Sequence, residues 1–339
     1  MSMVVTITLS QSRRDILISS RNGFTYASNL FTLIVAITFI LTVNSGIWTF
    51  RLLAYTLTFI GLFTSFMFIF FVPEIQLSKD AIIYDKAYKK ANGEKAMLES
   101  AVPELEQNNT DKDEAKKSTT EEIKTWRYWL TDGAFYVHAA VYTLARMAVN
   151  VTMTLTPFYL IHVLGFEGEE GRPTPPQIVT VPLVSYSFSM VFSLLFYRRL
   201  LNKFGNRMIP LLIGVIITCC SSLPFLFLRP SISWLVYIAA SFQGIGLAIL
   251  LNIATSLISD VIGDDDNSSA FVYGAYSLCD KFFSGALLVI IGNTVIEDKS
   301  WLIWLSSGLP IIAALGTYLF AFMGQHFYSH KMRGVSVQK

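Results

Sequence analysis

The chain has 339 residues, is 53% hydrophobic and only 15% charged, and has a mean hydropathy of +0.50. Soluble domains carry about 25% charged residues, so the composition excludes one and points to an all-α polytopic membrane protein. Three cysteines, Cys219, Cys220 and Cys279, lie in apolar segments without metal or disulfide spacing, and the net charge of +2 says less than where the charges fall.

The first dozen residues give too short an apolar run for a cleavable leader and lead into a basic flank with Arg13, Arg14 and Arg21. A first span is predicted over about 23–47 and a second over 51–72, ended by Pro73 and Glu74. Residues 76–127 then change character: Lys, Glu, Asp, Asn and Thr dominate, as in EQNNTDKDEAKKSTTEE. Such a segment cannot bury a core and reads as a solvated linker with short surface helices at its ends. Six further spans are predicted at about 130–160, 178–198, 208–228, 233–259, 270–293 and 301–324, before a polar, mildly basic tail. The domains are therefore 1–75 (two spans), 76–127 (linker), 128–325 (six spans) and 326–339 (tail).

Orientation follows from the excess of Lys and Arg on the cytosolic side. With the N-terminus in the cytosol, 20 of the 26 basic residues fall on that side and 4 on the other. The remaining two, Arg146 and Lys281, lie inside spans. Two spans, a long cytosolic loop and six spans match the second part of a six-plus-six transporter, with the first four helices missing.

Two spans carry polar stripes. Over 270–293, Tyr273, Ser277, Asp280 and Ser284 recur at helical spacing, with Lys281 beside Asp280. A charge at that depth costs at least roughly 2.5–3.5 kcal/mol, so it is kept only with a partner or in a wet cavity. Adjacent residues on a helix diverge by about 100°, which predicts that Asp280 and Lys281 each find a partner on another helix. Over 130–160, His138, Tyr142, Arg146 and Asn150 recur every fourth residue. Arginine stays charged in proteins, so Arg146 needs a carboxylate or an anionic ligand, and Asp280 is the other mid-span charge of opposite sign. Either the two stripes line a common cavity, or they form a structural clamp with a snorkelling lysine.

On the cytosolic side, YRRLLNKFGNRM over 197–208 reads as a basic hairpin in which Gly205 permits a tight turn. Asn202, Lys203, Gly205 and Arg207 form a gating candidate, with Asp260 and Asp264–Asp266 as acidic partners. Gln243, Gly244, Gly246 and Asn252 in the sixth span suit close helix contact. No G-x-S-x-G, H-E-x-x-H, P-loop or Cys/His cluster is present, which argues against an enzyme, a cofactor and a metal site. No basic-aromatic surface suggests nucleic acid.

Several segments resemble the major facilitator superfamily: SRNGFTYASNL, WLTDGAFYVHAAVYTLARMAVNVTMTLTPFYL, VTVPLVSYSFSM, LNKFGNR and, most specifically, SDVIGDDDNSSAFVYGAYSLCDK. Asn202-Lys203-x-Gly205-x-Arg207 resembles the second-half copy of its G-x-x-x-D-R-x-G-R-R loop. The resemblance covers nearly all of the chain outside the linker and extends, more distantly, to cation–sugar symporters of the melibiose-permease type, which carry a lysine in the eleventh helix where this chain has Lys281. It implies a major facilitator fold, incomplete here at about eight transmembrane helices of twelve.

For the most similar branch it also implies a lysosomal or related organelle membrane and import of cysteine. The expected function is a multi-pass secondary transporter of a small polar solute, in contact with membrane lipid and coupled to a proton or sodium. In it Arg146 holds a carboxylate, Asp280 an amino group or proton, and Lys281 tunes the ion. Alternatives are a cation-coupled sugar symporter, a plasma-membrane location, or a non-transporting scaffold or truncated isoform. With two first-half helices, the chain is expected not to transport alone, and four upstream helices to restore uptake.

Overall fold

The computed structural model describes residues 11–43, 46–71, 126–166, 177–262, 266–294 and 298–337, and every regular element among them is helical. Helix α1 (Gln11–Thr42) starts a dozen residues before the predicted span, and its membrane-length part begins at Asp15. A hydropathy reading discards this first part because it is polar. On the helix, Ile18, Ser19, Asn22 and Tyr26 turn inward together and are buried, so the polar residues face protein. Arg21, expected in the cytosolic flank, therefore lies inside the span. Helix α2 (Gly46–Phe71) is densely apolar, as befits a lipid-facing surface. Residues 61–123 form a separate compact unit, of which only the end of α2 is described. Most of the predicted linker lies outside the described residues.

The other unit continues with a short α3 (Trp126–Thr131) and the 30-residue α4 (Gly133–His162). Asp132 caps α4 by accepting from the Ala134 N–H at 3.2 Å. Next comes one continuous span made of α5 (Gln177–Val191), a π-helical turn (Phe192–Phe196) and α6 (Tyr197–Phe204). The predicted basic hairpin is thus helical over most of its length. Only the turn at Gly205 reverses the chain, with a left-handed φ of 62° and its N–H on the Leu201 carbonyl at 3.0 Å. Helices α7 (Met208–Ser222), α8 (Leu235–Ile262), α9 (Asp266–Thr294) and α10 (Lys299–Val337) follow.

The sequence predicts eight spans. Among the described residues, seven helical segments are long and apolar enough to cross a membrane, and α4 is not one of them. Its length suffices, but the stripe of His138, Tyr142, Arg146 and Asn150 lowers its hydropathy while half of its residues are buried in protein.

Helix α8 is the core of the bundle. It packs on α7, α5 and α4 and buries 21 of its 28 residues, as expected for a helix that is apolar all round. Glycines allow the approach: a Cβ on Gly244 would overlap the Ser185 carbonyl, and one on Gly246 would overlap Thr218. The close contact is sealed by Ser189, which donates to the Gly244 carbonyl at 2.8 Å. Helix α4 runs along α10, and the Tyr159 hydroxyl ties it to the Phe225 carbonyl at 2.7 Å. Helix α1 packs on α5, the π turn and α8.

Candidate functional site

Two Arg–Asp centres stand out. The deeper one joins α4 to α9. Asp280 is 1% exposed, and its Oδ2 faces Arg146 Nε at 3.4 Å and Lys281 Nζ at 3.5 Å. Its Oδ1 accepts from Asn150 Nδ2 at 3.2 Å and from the Ser284 hydroxyl at 3.3 Å. Two cations and two neutral donors thus converge on one carboxylate where water is scarce, the arrangement that a buried charge requires. The Arg146 side chain is 23% exposed and that of Lys281 65%.

Lys281 corrects the helical-wheel expectation. The two Cα–Cβ bonds diverge, but the flexible lysine stem curls back to its neighbour, so its partner lies on its own helix. Tyr142 is buried one turn before Arg146, in a cluster with Tyr273, Tyr276, Trp129 and Phe135. Ser277 does not join the stripe. It is exposed, and the fourth residue before Asp280 is Tyr276, which is fully buried and donates to the Phe135 carbonyl at 2.8 Å. Steps of three and four flank the same face; here the step of four from Asp280 reaches the buried flank at Tyr276 and the step of three the exposed one at Ser277. His138 is buried on the same face of α4, against Gly324 of α10.

The second centre ties α1, α7 and α8 together at the end of the bundle that the sequence predicts to be cytosolic. Arg207, between the Gly205 turn and α7, donates from Nη2 to both carboxylate oxygens of Asp15 of α1 at 2.8 and 2.9 Å, while its Nη1 pairs with Asp260 of α8 and reaches the Ser256 carbonyl at 3.2 Å. Burial works against the charged guanidinium, but the carboxylates of Asp260 and Asp15 outweigh it and raise the Arg207 pKa above its ordinary value. Asn202 and Gly205 line the same cleft of about 680 Å³. Lys203 does not; its ammonium lies 5.7 Å from the Phe204 ring. Asp264 and Asp265 lie outside the described residues.

Asp15 escaped the sequence reading because it precedes the apolar run. The signal is the spacing Asp15, Ser19, Asn22, Tyr26, a helical stripe in a segment assigned to the flank. The same stripe makes a polar seam with the π turn and α8. Ser19 donates to the Ser193 carbonyl, Asn22 Nδ2 to Asn252 Oδ1 at 2.7 Å, and Asn252 Nδ2 to the Ser193 hydroxyl at 3.0 Å. Asn252 is fully buried there, and Gln243 donates to Ser222 at 3.3 Å, so both tie helices together. Among the described residues no group of His, Cys, Asp and Glu could hold a metal ion.

Membrane-length helices around a buried carboxylate, with an ion-paired end, define a polytopic membrane protein. The profile of the Major Facilitator Superfamily matches residues 1–287, and the chain belongs to that family, whose members are secondary transporters rather than enzymes. It is similar to Major facilitator superfamily domain-containing protein 12 of Equus caballus and of Homo sapiens, each 29% identical over 174 residues, or 51% of this chain and 34% of the relative. The Mus musculus protein of the same name is 30% identical over 166 residues, 49% of this chain and 33% of its own length. The chain thus spans about a third of the length of these relatives. No solved structure matches it.

Proposed function

We propose that this chain forms the solute site of a secondary active transporter that moves a small polar solute by alternating access. Asp280 carries the reading: a carboxylate 1% exposed at mid-span, held by Arg146, Asn150 and Ser284. A bundle that needed only adhesion would gain as much from apolar packing, without desolvating ions. In a carrier, such a cluster exchanges partners with solute or coupling ion. The clamp of Arg207, Asp15 and Asp260 is the cytosolic gate, which parts when α1 moves away from α7 and α8. By resemblance the solute is cysteine or a related amino acid, the membrane that of a lysosome or related organelle, and the coupling ion a proton or sodium.

The test is uptake of labelled L-cysteine into proteoliposomes, by the chain alone and by the chain preceded by four helices of the human relative. Uptake is expected to be saturable in the extended form, and Asp280→Asn to abolish it while leaving insertion intact. Normal uptake by Asp280→Asn would reduce the cluster to a structural clamp.

A further inference from the structure

We propose that a groove between α7 and α8 holds one acyl chain of an anionic phospholipid, with Arg229 on its phosphate. The groove lies at the end of α7 opposite Arg207 and shares no residue with the clamp cleft or the Asp280 cluster.

Two stripes build it. From α7 into the turn beyond it, Ile216, Cys220 and Pro224 recur every fourth residue; on α8, Leu235, Ile238 and Phe242 recur at steps of three and four, so each set shares a face. The two helices are drawn together where a Cβ on Gly246 would overlap Thr218 and one on Gly214 would overlap Ile249. Toward the 223–234 connection they leave a furrow of about 490 Å³, within the range of about 300–1,000 Å³ of small-ligand sites. Its floor is made by the small, buried side chains of Ser221 and Ala239. The Ser221 hydroxyl donates to the Thr218 carbonyl at 3.1 Å, so the floor offers no free polar group. Ile216, Ile238 and Phe242 are exposed and form the rims.

The surroundings decide the occupant. Both walls belong to segments of membrane length, Met208–Leu226 and Leu235–Ile262, so the furrow opens onto hydrocarbon rather than water. Its connection end is framed by Pro224 and Leu235, and between them stand Arg229 and the exposed rings of Phe227 and Trp234. Aromatic side chains of this kind sit at headgroup level. Arg229 is exposed, and its side chain makes no hydrogen bond or ion pair among the described residues. It is one of only 4 Lys and Arg that the topology assigns to that side, so the general cytosolic excess of positive charge does not explain it. An arginine fork grips a phosphate through parallel hydrogen bonds. A sterol brings no anion, and a zwitterionic headgroup carries its own competing cation. An anionic phospholipid satisfies the furrow and the guanidinium together.

The test is photo-cross-linking of the full chain in phosphatidylcholine nanodiscs, doped with phosphatidylglycerol carrying a diazirine in one acyl chain, or with phosphatidylcholine labelled in the same way. Sites are read by peptide mass spectrometry, with Cys220 itself left out of the count. The anionic probe is expected to label 216–242 about tenfold more per residue than α2, equivalent to about 1.4 kcal/mol; the membrane-length part of α2 has no buried residue and meets bulk lipid. It should also label the groove about fivefold more than the zwitterionic probe, the worth of one basic residue at an anionic surface. Cys220→Trp, at an exposed position in the groove, should lower its labelling to the α2 level. Arg229→Gln should keep the labelling and erase the headgroup preference. The comparisons on the unmodified chain stand whether or not a variant folds. Labelling no stronger than on α2, equal labelling by the two headgroups, or full labelling of a folded Cys220→Trp would each overturn the proposal. So would displacement of the phospholipid by a diazirine sterol at equal mole fraction.

Discussion

The two Arg–Asp centres use the same chemistry in different media. At the end of the bundle predicted to be cytosolic, Arg207 has two carboxylates and a carbonyl to choose from, and the Asp260 side chain is 35% exposed. If one partner leaves, another remains and water reaches the rest. At mid-span, Asp280 is 1% exposed and Arg146 depends on it. On the proposed function, one pair is built to open and the other to be exchanged. Water can replace an acid at the clamp, whereas at the core only another charge can replace Asp280.

The sharpest way to break this contrast is to remove Asp280. Asp280→Ala strands Arg146, and losing one partner of a buried pair costs about 3–5 kcal/mol; thermal unfolding in detergent should show a large drop. Asp280→Asn together with Arg146→Gln should recover most of the stability and none of the uptake, because the pair is neutralised as a unit. Next in size is a change that holds the charges fixed and disturbs only packing. Gly246→Val drives a side chain into Thr218 and should destabilise by about 1–3 kcal/mol, read in the same unfolding assay.

A smaller effect is expected at the clamp. Arg207→Gln releases Asp15 and Asp260 together, which should shift the population toward a cytosol-open form about tenfold, equivalent to about 1.4 kcal/mol. A cysteine placed at Asn202 then reacts faster with an impermeant maleimide added from the cytosolic side. Asp260→Asn alone should change that rate less, since Asp15 keeps both its contacts with Arg207 Nη2. Smallest of all, Lys281→Gln removes a largely exposed cation and should alter stability by less than about 1 kcal/mol. A large loss there would mean that Lys281 belongs with the core pair.

How much of this is legible in the sequence depends on which signal carries each residue. Arg146 and Asp280 are legible because mid-span charges of opposite sign are rare enough to imply one another, and Asn150 because it repeats at a step of four from Arg146. Arg207 with Asp260 is legible from the loop pattern and from the side of the bundle to which the distribution of Lys and Arg assigns both. Ser277 misled because a serine looks polar on a wheel while the buried neighbour at the step of four is a tyrosine, which reads as apolar. Asp15 and Arg21 were hidden because a hydropathy window begins where the apolar run begins, and α1 begins earlier on a polar face that other helices cover. The π turn has no local sequence mark. Its trace is the seam of Ser193 with Asn252 and Ser19, which only tertiary contact brings together.

That seam has a consequence for how the protein is made. Asn22 finds its amide partner Asn252 only 230 residues later in the chain. At about 5–20 residues per second of synthesis, α1 waits roughly 10–50 seconds in or beside the bilayer before α8 exists. Throughout that delay it carries a polar amide and a guanidinium that lipid cannot satisfy. Until then its polar face is expected to be sheltered by the insertion apparatus or by other helices already made. A ribosome-stalled chain ending before Asn252 should cross-link from position 22 to that machinery, and one extended past α8 should not.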